Sequence, residues 1–409
     1  MSIALLAGPP ATLGMESFAE HQHRLGALPK ATRALIDSIE RSSLRGKGGA
    51  GFPVATKWRS VAAQRAGRPV VLANGGEGEP LSRKDRMLME QRPHLVIDGA
   101  VLAAGAVGAG EIVLYVGADH SGAIQAMQRA MTERSASERK RIRLVSSPVR
   151  YVSGEETAAV HFVNAGIALP TSIPPRPYER GIDGRPTLVQ NVETLAHVAL
   201  IARFGDEWFR SLGIGDASGT TLVTVGGAVP QTVLIEIPMG LALADAVNAA
   251  GGITSDSDAV LLGGYFGGWV ESSTAWGLPL DTDPLRQQGY SLGCGVIAVL
   301  PSERCGVVET ARILAYLAHE SARQCGPCTF GLRAISASAG RVAGLASTPG
   351  DLEHIQRWAG FLAGRGACRH PDGAAGLLAS ALRVFADEFE HHAFERRCSV
   401  ARAVAAAAS

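Results

Sequence analysis

Residues 69–80 read PVVLANGGEGEP. The first half is an aliphatic run ending on asparagine, and the second half is glycine, glutamate and proline. A short apolar run that stops at turn residues reads as a strand buried on both faces. The switch to glycines and carboxylates at its carboxyl end puts a loop where open α/β sheets hold their ligands. Outward from this strand, the pattern alternates between about 30 and 205. Helices are expected at 31–40, 95–107, 121–134, 155–164 and 191–204, and strands at 111–116 (EIVLYV) and 142–146. A proline- and arginine-rich stretch at 169–186 reads as irregular. Such alternation predicts an α/β layered domain over residues 1–217. Strands at 221–225, 233–237, 259–262 and 296–300, with a helix at 243–250, predict a β-grasp-like module over 218–302. From 309 onward the pattern is helical, with breaks at 326–327, 349–350 and 364–373. That is a helical bundle, 303–409, carrying three cysteines on its loops. The alanine-rich end after residue 400 reads as a frayed helix terminus.

Composition narrows the function. The 409 residues carry a formal net charge of +1, which leaves no electrostatic footprint for nucleic acid. No apolar run reaches the length of a membrane span, so no direct membrane insertion is expected. The apolar start is broken by Pro9 and Pro10 and lacks a basic region, unlike a signal peptide. Six cysteines are too few for a disulfide framework in a chain of this size. Three of them, Cys325, Cys328 and Cys368, cluster late in the chain, which suits metal or cluster ligation in a reducing cytoplasm. Cys294, Cys305 and Cys398 have no such spacing and read as ordinary buried thiols.

Four stretches carry chemistry. The first, 45–53, reads RGKGGAGFP. It satisfies G-x-G-x-x-G but follows a helix, where a dinucleotide fingerprint follows a strand. Consecutive glycines still expose backbone N–H groups to a ring or phosphate, with Lys47 and Lys57 adding positive charge; the plain alternative is a glycine-rich turn. The second is the loop after PVVLAN, where Asn74 offers a donor and an acceptor to a heterocycle edge. Its carboxylates suit ribose hydroxyls, or are simply solvated. The third, YVSGEET at 151–157, opens a helix with Glu155 and Glu156, which taken alone are caps. The fourth is Cys325-Gly326-Pro327-Cys328 with Cys368. This spacing suits an iron–sulfur cluster, or zinc completed by His319 or His370.

The order of these stretches is more specific than any one of them. RGKGGAGFP, NGGEGEP with KDRMLME, YVSGEETA, NVETLAHV, CGPC and GACRHPDGA, in that sequence, closely resemble the NADH-oxidising flavoprotein subunit of respiratory complex I. Related NAD-linked hydrogenases and formate dehydrogenases carry the same subunit type. The resemblance runs from about 40 to 390. It implies an α/β FMN-binding domain, a ubiquitin-like β-grasp domain of the soluble-ligand-binding type and an α-helical iron–sulfur bundle. The FMN site it implies falls on Gly46, Lys47, Gly49, Lys57, Asn74, Tyr151, Glu155, Asn191 and Thr194. The nicotinamide falls near Phe52, Glu79 and Glu156. Hydride would pass from NADH to FMN, and electrons would leave singly through a [4Fe-4S] cluster. A thioredoxin-like [2Fe-2S] subunit or a ferredoxin is the implied partner.

Three departures from the family pattern bear on these expectations. Ala322 stands where the family has the first cluster cysteine. A non-cysteine fourth ligand, an open iron or a [3Fe-4S] cluster is therefore expected. Ser60 and Arg83 replace adenine-stacking aromatics, and Ile173 and Arg176 replace a basic residue and an aromatic. Base stacking is worth ~1–3 kcal/mol, so each loss weakens nucleotide binding by a factor on the order of 10 to 100. Gly76 replaces a flavin-loop Asp, and Gln190 an Asn. Two alternatives stay open at this level: a flavin and cluster module that exchanges electrons with a redox protein instead of NADH, and a non-catalytic assembly scaffold.

Overall fold

The computed structural model describes residues 5–10 and 14–400. The alanine-rich end lies outside the described residues. The chain divides into two compact units, residues 1–223 with 236–241, and residues 224–235 with 242–409.

The first unit opens with α1 (Phe18–Leu25), α2 (Ala34–Arg41) and α3 (Val54–Ala62). It continues through β1 (Val70–Gly75), α4 (Lys84–Gln91), α5 (Pro93–Val107), β2 (Glu111–Gly117), α6 (Ser121–Glu133), α7 (Ala136–Arg139) and β3 (Ile142–Ser147). After α8 (Glu156–Ala165) come β4 (Thr187–Asn191), α9 (Val192–Phe204) and α10 (Asp206–Arg210). The sheet order is β3-β2-β1-β4, and every pairing is parallel. PVVLAN is thus a central strand, as its continuous burial predicts. On one face, Val70, Leu72, Val113, Tyr115 and Val189 pack on Ala159 and Val160 of α8. The opposite face carries α5 and α9. Helix α5 is buried almost all round, begins with Pro93 at its first position and stops at Gly108, whose φ is 75°. Its Gly99 lets α9 come close: a Cβ there would lie 1.9 Å from the Leu195 carbonyl oxygen. Strand β4, helix α3 and helix α4 were absent from the sequence reading. Strand β4 is only five residues long and runs straight into α9, so its period is hidden in the helix pattern.

The second unit holds most of a five-stranded sheet, ordered β6-β5-β9-β7-β8. Its elements are β5 (Thr220–Gly227), β6 (Val233–Pro238), α11 (Leu243–Ala249), β7 (Ala259–Leu262), β8 (Gly268–Glu271), α12 (Ser272–Ala275), α13 (Thr282–Gln287) and β9 (Val296–Val299). Four of these strands match the sequence reading, and β8 is additional. Strand β9 runs parallel to β5 and antiparallel to β7. The helical part comprises α14 (Gly306–Glu320), α15 (Leu332–Ala343), α16 (Asp351–Leu362), α17 (His370–Val384) and α18 (Ala386–Glu390), with π-helical turns at Pro327–Gly331 and His391–Glu395. The expected break at 326–327 is displaced: the chain leaves helix at 321–325, and Pro327 opens the π turn. Cys328 therefore sits inside a helical turn, not on a loop. No helix among the described residues is long and apolar enough to cross a membrane.

Candidate functional site

At the carboxyl ends of β1 and β4 Lys47, Thr194, Asn191 and Asn74 are joined by one chain of hydrogen bonds, with other sequence-selected residues paired beside it. The glycine loop between α2 and α3 closes on itself, Gly46 N–H donating to the Phe52 carbonyl (2.9 Å), with Gly49 at φ 107°. Only glycine accepts such a φ without strain. Lys47 N–H donates to Thr194 Oγ1 (2.9 Å), which anchors the loop to the first turn of α9. Asn191 caps that helix, its Oδ1 accepting from the N–H groups of Glu193 (3.0 Å) and Thr194 (3.4 Å). Asn74, at the end of β1, donates from Nδ2 to the Gly154 carbonyl (2.9 Å) and accepts at Oδ1 from Gly76 N–H (3.1 Å). Tyr151 OH donates to Glu79 Oε2 (3.1 Å). Lys57 Nζ pairs with Glu156 Oε2 at 2.9 Å, tying α3 to the start of α8.

The two loops beyond β1 and β3 touch backbone to backbone. A Cβ at Gly78 would meet the Tyr151 carbonyl oxygen at 2.6 Å, and one at Gly154 the Gly76 carbonyl oxygen at 2.5 Å. Here glycine is required by close approach. Phe52 is 53% exposed, an aromatic face open to a ligand. Glu155 does cap α8, accepting from the N–H groups of Thr157 and Ala158 (both 2.9 Å), as its sequence position suggested. Burial is the largest influence on its carboxyl and raises its pKa. Thr194 is fully buried, so its hydroxyl acts on the loop from behind. Asn74, read as a donor and acceptor for a heterocycle, uses one amide hydrogen and one oxygen lone pair to join the loops beyond β1 and β3.

Behind this surface lies a charge cluster whose role sequence reasoning missed, although its residues stand in the KDR and NVET stretches. Lys84 Nζ lies 2.7 Å from Asp85 Oδ1 and 3.0 Å from Glu193 Oε2, all three buried. Asn191 Nδ2 donates to Asp85 Oδ2 (2.8 Å), linking the cluster to the site. Burial raises the pKa of Asp85, with the Glu77 carboxylate adding to it and Lys84 opposing. Glu193 is held well below the usual carboxylate range: burial opposes its charge most strongly, but Lys84, His197 and Lys47 together outweigh it. Glu193 also accepts from Thr221 Oγ1 (3.0 Å) and Leu222 N–H (2.9 Å).

The departures have structural counterparts. A Cβ at Gly76 would lie 2.8 Å from Tyr115 Cε1, so the tyrosine ring occupies the room an acid would need. Gln190 Oε1 accepts from Trp58 Nε1 (3.2 Å) and is thereby committed to the core. Arg83, Ile173 and Arg176 are exposed, and Ser60 donates to the Thr56 carbonyl of its own helix. None of the four offers a flat apolar platform.

In the second unit, Cys328 is buried while Cys325 and Cys368 are partly exposed. Burial first, then the neighbouring Cys325 and Cys368 thiols, push the Cys328 thiol up to about 12. The three sulfurs therefore share one neighbourhood. Ala322, partly buried on the stretch leading to Cys325, supplies no ligand. His319 is exposed and turned to Glu320 Oε1 (3.0 Å), and His370 Nε2 lies 2.7 Å from the Leu317 carbonyl.

Donor chemistry fits both cofactors. Lysines, a glycine loop that lets backbone approach closely and an open aromatic ring suit a phosphorylated flavin, and three clustered thiols suit an iron–sulfur group. Comparisons with known proteins agree. Residues 39–200 match the Nuo51 FMN-binding domain and residues 309–392 the NADH-ubiquinone oxidoreductase-F iron-sulfur binding region. The NADH-quinone oxidoreductase F 2 subunit of Rhizobium meliloti (strain 1021) is 33% identical over 378 residues, covering 89% of this chain and 90% of that protein. The HndC subunit of the NADP-reducing hydrogenase of Solidesulfovibrio fructosivorans is 27% identical, covering 89% and 77%. An NAD+-reducing [NiFe]-hydrogenase chain in the H2-reduced state superimposes with a TM-score of 0.82 at 30% identity, covering 92% of this chain. This chain spans 65% of that hydrogenase chain's length. Fold and site thus define a flavin and iron–sulfur oxidoreductase component. The chain belongs to the family of NADH-quinone oxidoreductase F subunits.

Proposed function

We propose that this chain oxidises NADH: hydride passes to FMN, and electrons leave singly through an iron–sulfur cluster to a protein acceptor. The carrying observation is the continuous network from Lys47 through Thr194, Asn191, Asn74 and Gly154, which joins the loops at the carboxyl ends of the neighbouring strands β1 and β4. When bound, FMN supplies the conversion between two-electron and one-electron transfer.

The chain's own residues bind and orient. Gly46 and Gly49 let the loop backbone come close to the flavin, and Lys47, with Lys57 nearby, brings positive charge to its phosphate. Asn74, Asn191, Tyr151, Glu155 and Thr194 fix the walls. Phe52, Glu79 and Glu156 stand where the nicotinamide nucleotide meets the flavin. Cys325, Cys328 and Cys368 hold a [4Fe-4S] cluster with a non-cysteine fourth ligand, or a [3Fe-4S] cluster. We assign the segments as an FMN domain (1–217), a β-grasp domain (218–302) and an iron–sulfur bundle (303–409). The partner is a thioredoxin-like [2Fe-2S] subunit or a ferredoxin, and the compartment is the reducing cytoplasm.

One observation favours a second reading, in which the flavin takes electrons from a redox protein instead of NADH. The four positions 60, 83, 173 and 176 lack stacking platforms. An anaerobic titration of the purified protein with NADH, followed by flavin and cluster absorbance, decides between them. Prompt bleaching is expected. Bleaching by dithionite but not by NADH would transfer the role to the second reading, and absence of flavin would overturn both.

A further inference from the structure

A second group of ligating side chains lies apart from the Cys325, Cys328 and Cys368 trio, at the far end of the helical part. Cys305 precedes α14, Glu388 lies in α18, His392 in the π-helical turn His391–Glu395, and Cys398 just beyond it. Their four ligand atoms lie within 4.8 Å of one another. Cys305 Sγ is 3.5 Å from His392 Nε2 and 4.0 Å from Glu388 Oε1, and Glu388 Oε1 is 3.1 Å from His392 Nε2. Sulfur, imidazole and carboxylate donors at about 2.0–2.3 Å from one tetrahedral ion have mutual separations of this size.

The surroundings orient these donors. His392 Nδ1 lies 3.2 Å from the Val342 carbonyl, a group that only accepts, so Nδ1 carries the proton. In the neutral ring Nε2 then presents a lone pair toward a carboxylate and a thiol. A carbonyl behind the distal ring nitrogen is the usual second-shell arrangement of a metal-bound histidine. Ser399 N–H donates to Glu388 Oε1 (2.8 Å) and fixes the carboxylate. Arg396, at φ 51°, turns the chain back so that Cys398 faces the group. The π turn itself is a feature that recurs at functional sites.

We propose that Cys305, Glu388, His392 and Cys398 form a four-coordinate structural zinc site that fastens the chain after α18 to the start of α14. Two thiolates, an imidazole and a carboxylate suit zinc, and four protein ligands leave no open position for catalysis. The reading of Cys305 and Cys398 as ordinary thiols, made from spacing, is thereby replaced. Spacing failed because the ligands come from both ends of the bundle.

The test is metal analysis of the full-length protein purified anaerobically without added zinc, with acid-labile sulfide measured in parallel. About one zinc per chain is expected beside the iron. Cys398→Ser and His392→Gln should lower zinc at least tenfold while flavin, iron and sulfide are kept. Cys325→Ser should do the reverse. Wild-type protein stripped of zinc and given Co2+ should show thiolate-to-cobalt charge-transfer bands that Cys398→Ser lacks, a readout independent of how well a variant is purified. Zinc lost with Cys325→Ser but kept with Cys398→Ser, a Cys305–Cys398 disulfide in the purified protein, or no zinc and no cobalt spectrum would each overturn the site.

Discussion

Asp98 is buried in α5 between His21 and two arginines, and its position makes a sharp prediction. His21 Nε2 lies 2.8 Å from Oδ2, Arg134 Nη1 2.6 Å from Oδ1, and Arg203 Nη2 also pairs with Oδ2. Burial opposes its charge, but these partners hold its carboxyl far below the usual range. Glu16 behaves alike: burial raises its pKa, His21 and Arg24 outweigh that, and the result is about 2. A depressed carboxyl contributes stability that is present above its unfolded pKa and is lost as pH falls through the folded one. Stability of the first unit is therefore expected to decline from about pH 4.5 downward. Asp98→Asn should cost about 3–5 kcal/mol near neutrality, because two guanidinium groups are left buried without a counter-charge. The same variant should flatten the acid limb; urea midpoints measured across pH check both. Thr194 is a second case. Thr194→Val keeps the shape but removes the acceptor for Lys47 N–H, a loss of about 1 kcal/mol. Flavin affinity is expected to fall about fivefold, read by fluorescence titration of the deflavinated protein.

At the scale of elements, helix α5 must lie against α9 for β1 and β4 to deliver their loops to one place. Gly99 permits this approach. Gly99→Ala gains about 1 kcal/mol of helix propensity. Its Cβ, however, would lie 1.9 Å from the Leu195 carbonyl oxygen, inside backbone that cannot rotate away. Overpacking of this kind costs about 1–3 kcal/mol or more, so the clash wins and the variant should unfold at lower urea. Gly340, inside α15, has nothing within 4 Å of where its Cβ would stand. Gly340→Ala should therefore stabilise by about 0.5–1 kcal/mol in the same assay. Two glycines in helices, indistinguishable by composition, are predicted to respond with opposite sign. Their helices were readable from apolar periodicity, but the neighbour that decides the sign lies on an element 96 residues away in one case and is missing in the other.

For the whole molecule, the open question is the cluster's fourth position. Ala322 replaces the first family cysteine on the stretch leading to Cys325. Ala322→Cys is expected to raise the iron retained through purification and to remove any oxidised three-iron signal from the EPR spectrum. Unchanged iron and spectrum would place residue 322 out of the cluster's reach. The Gly-rich loop, the acidic loop after PVVLAN and the cysteine trio were legible in sequence because each is a contiguous run whose chemistry is local. The Lys84, Asp85 and Glu193 cluster was not, because a charged residue on an amphipathic pattern reads as solvated. Only the packing of α4 against α9 buries it.

Local rules were enough to place most of the elements, and the order of the motifs pointed to the class of the protein. Strand β1 is aliphatic up to Asn74, α5 is small and apolar, and the loop motifs occur in a family's order. Each of these is a property of neighbours along the chain. Tertiary structure alone decided which side chains meet. It tied Asn74 to the Gly154 carbonyl, set Tyr115 against Gly76, and brought Cys305 to Glu388 and His392 across 83 and 87 residues. The physical reason is that periodicity and turn chemistry act over a few residues, whereas burial, ligation and charge pairing act through space.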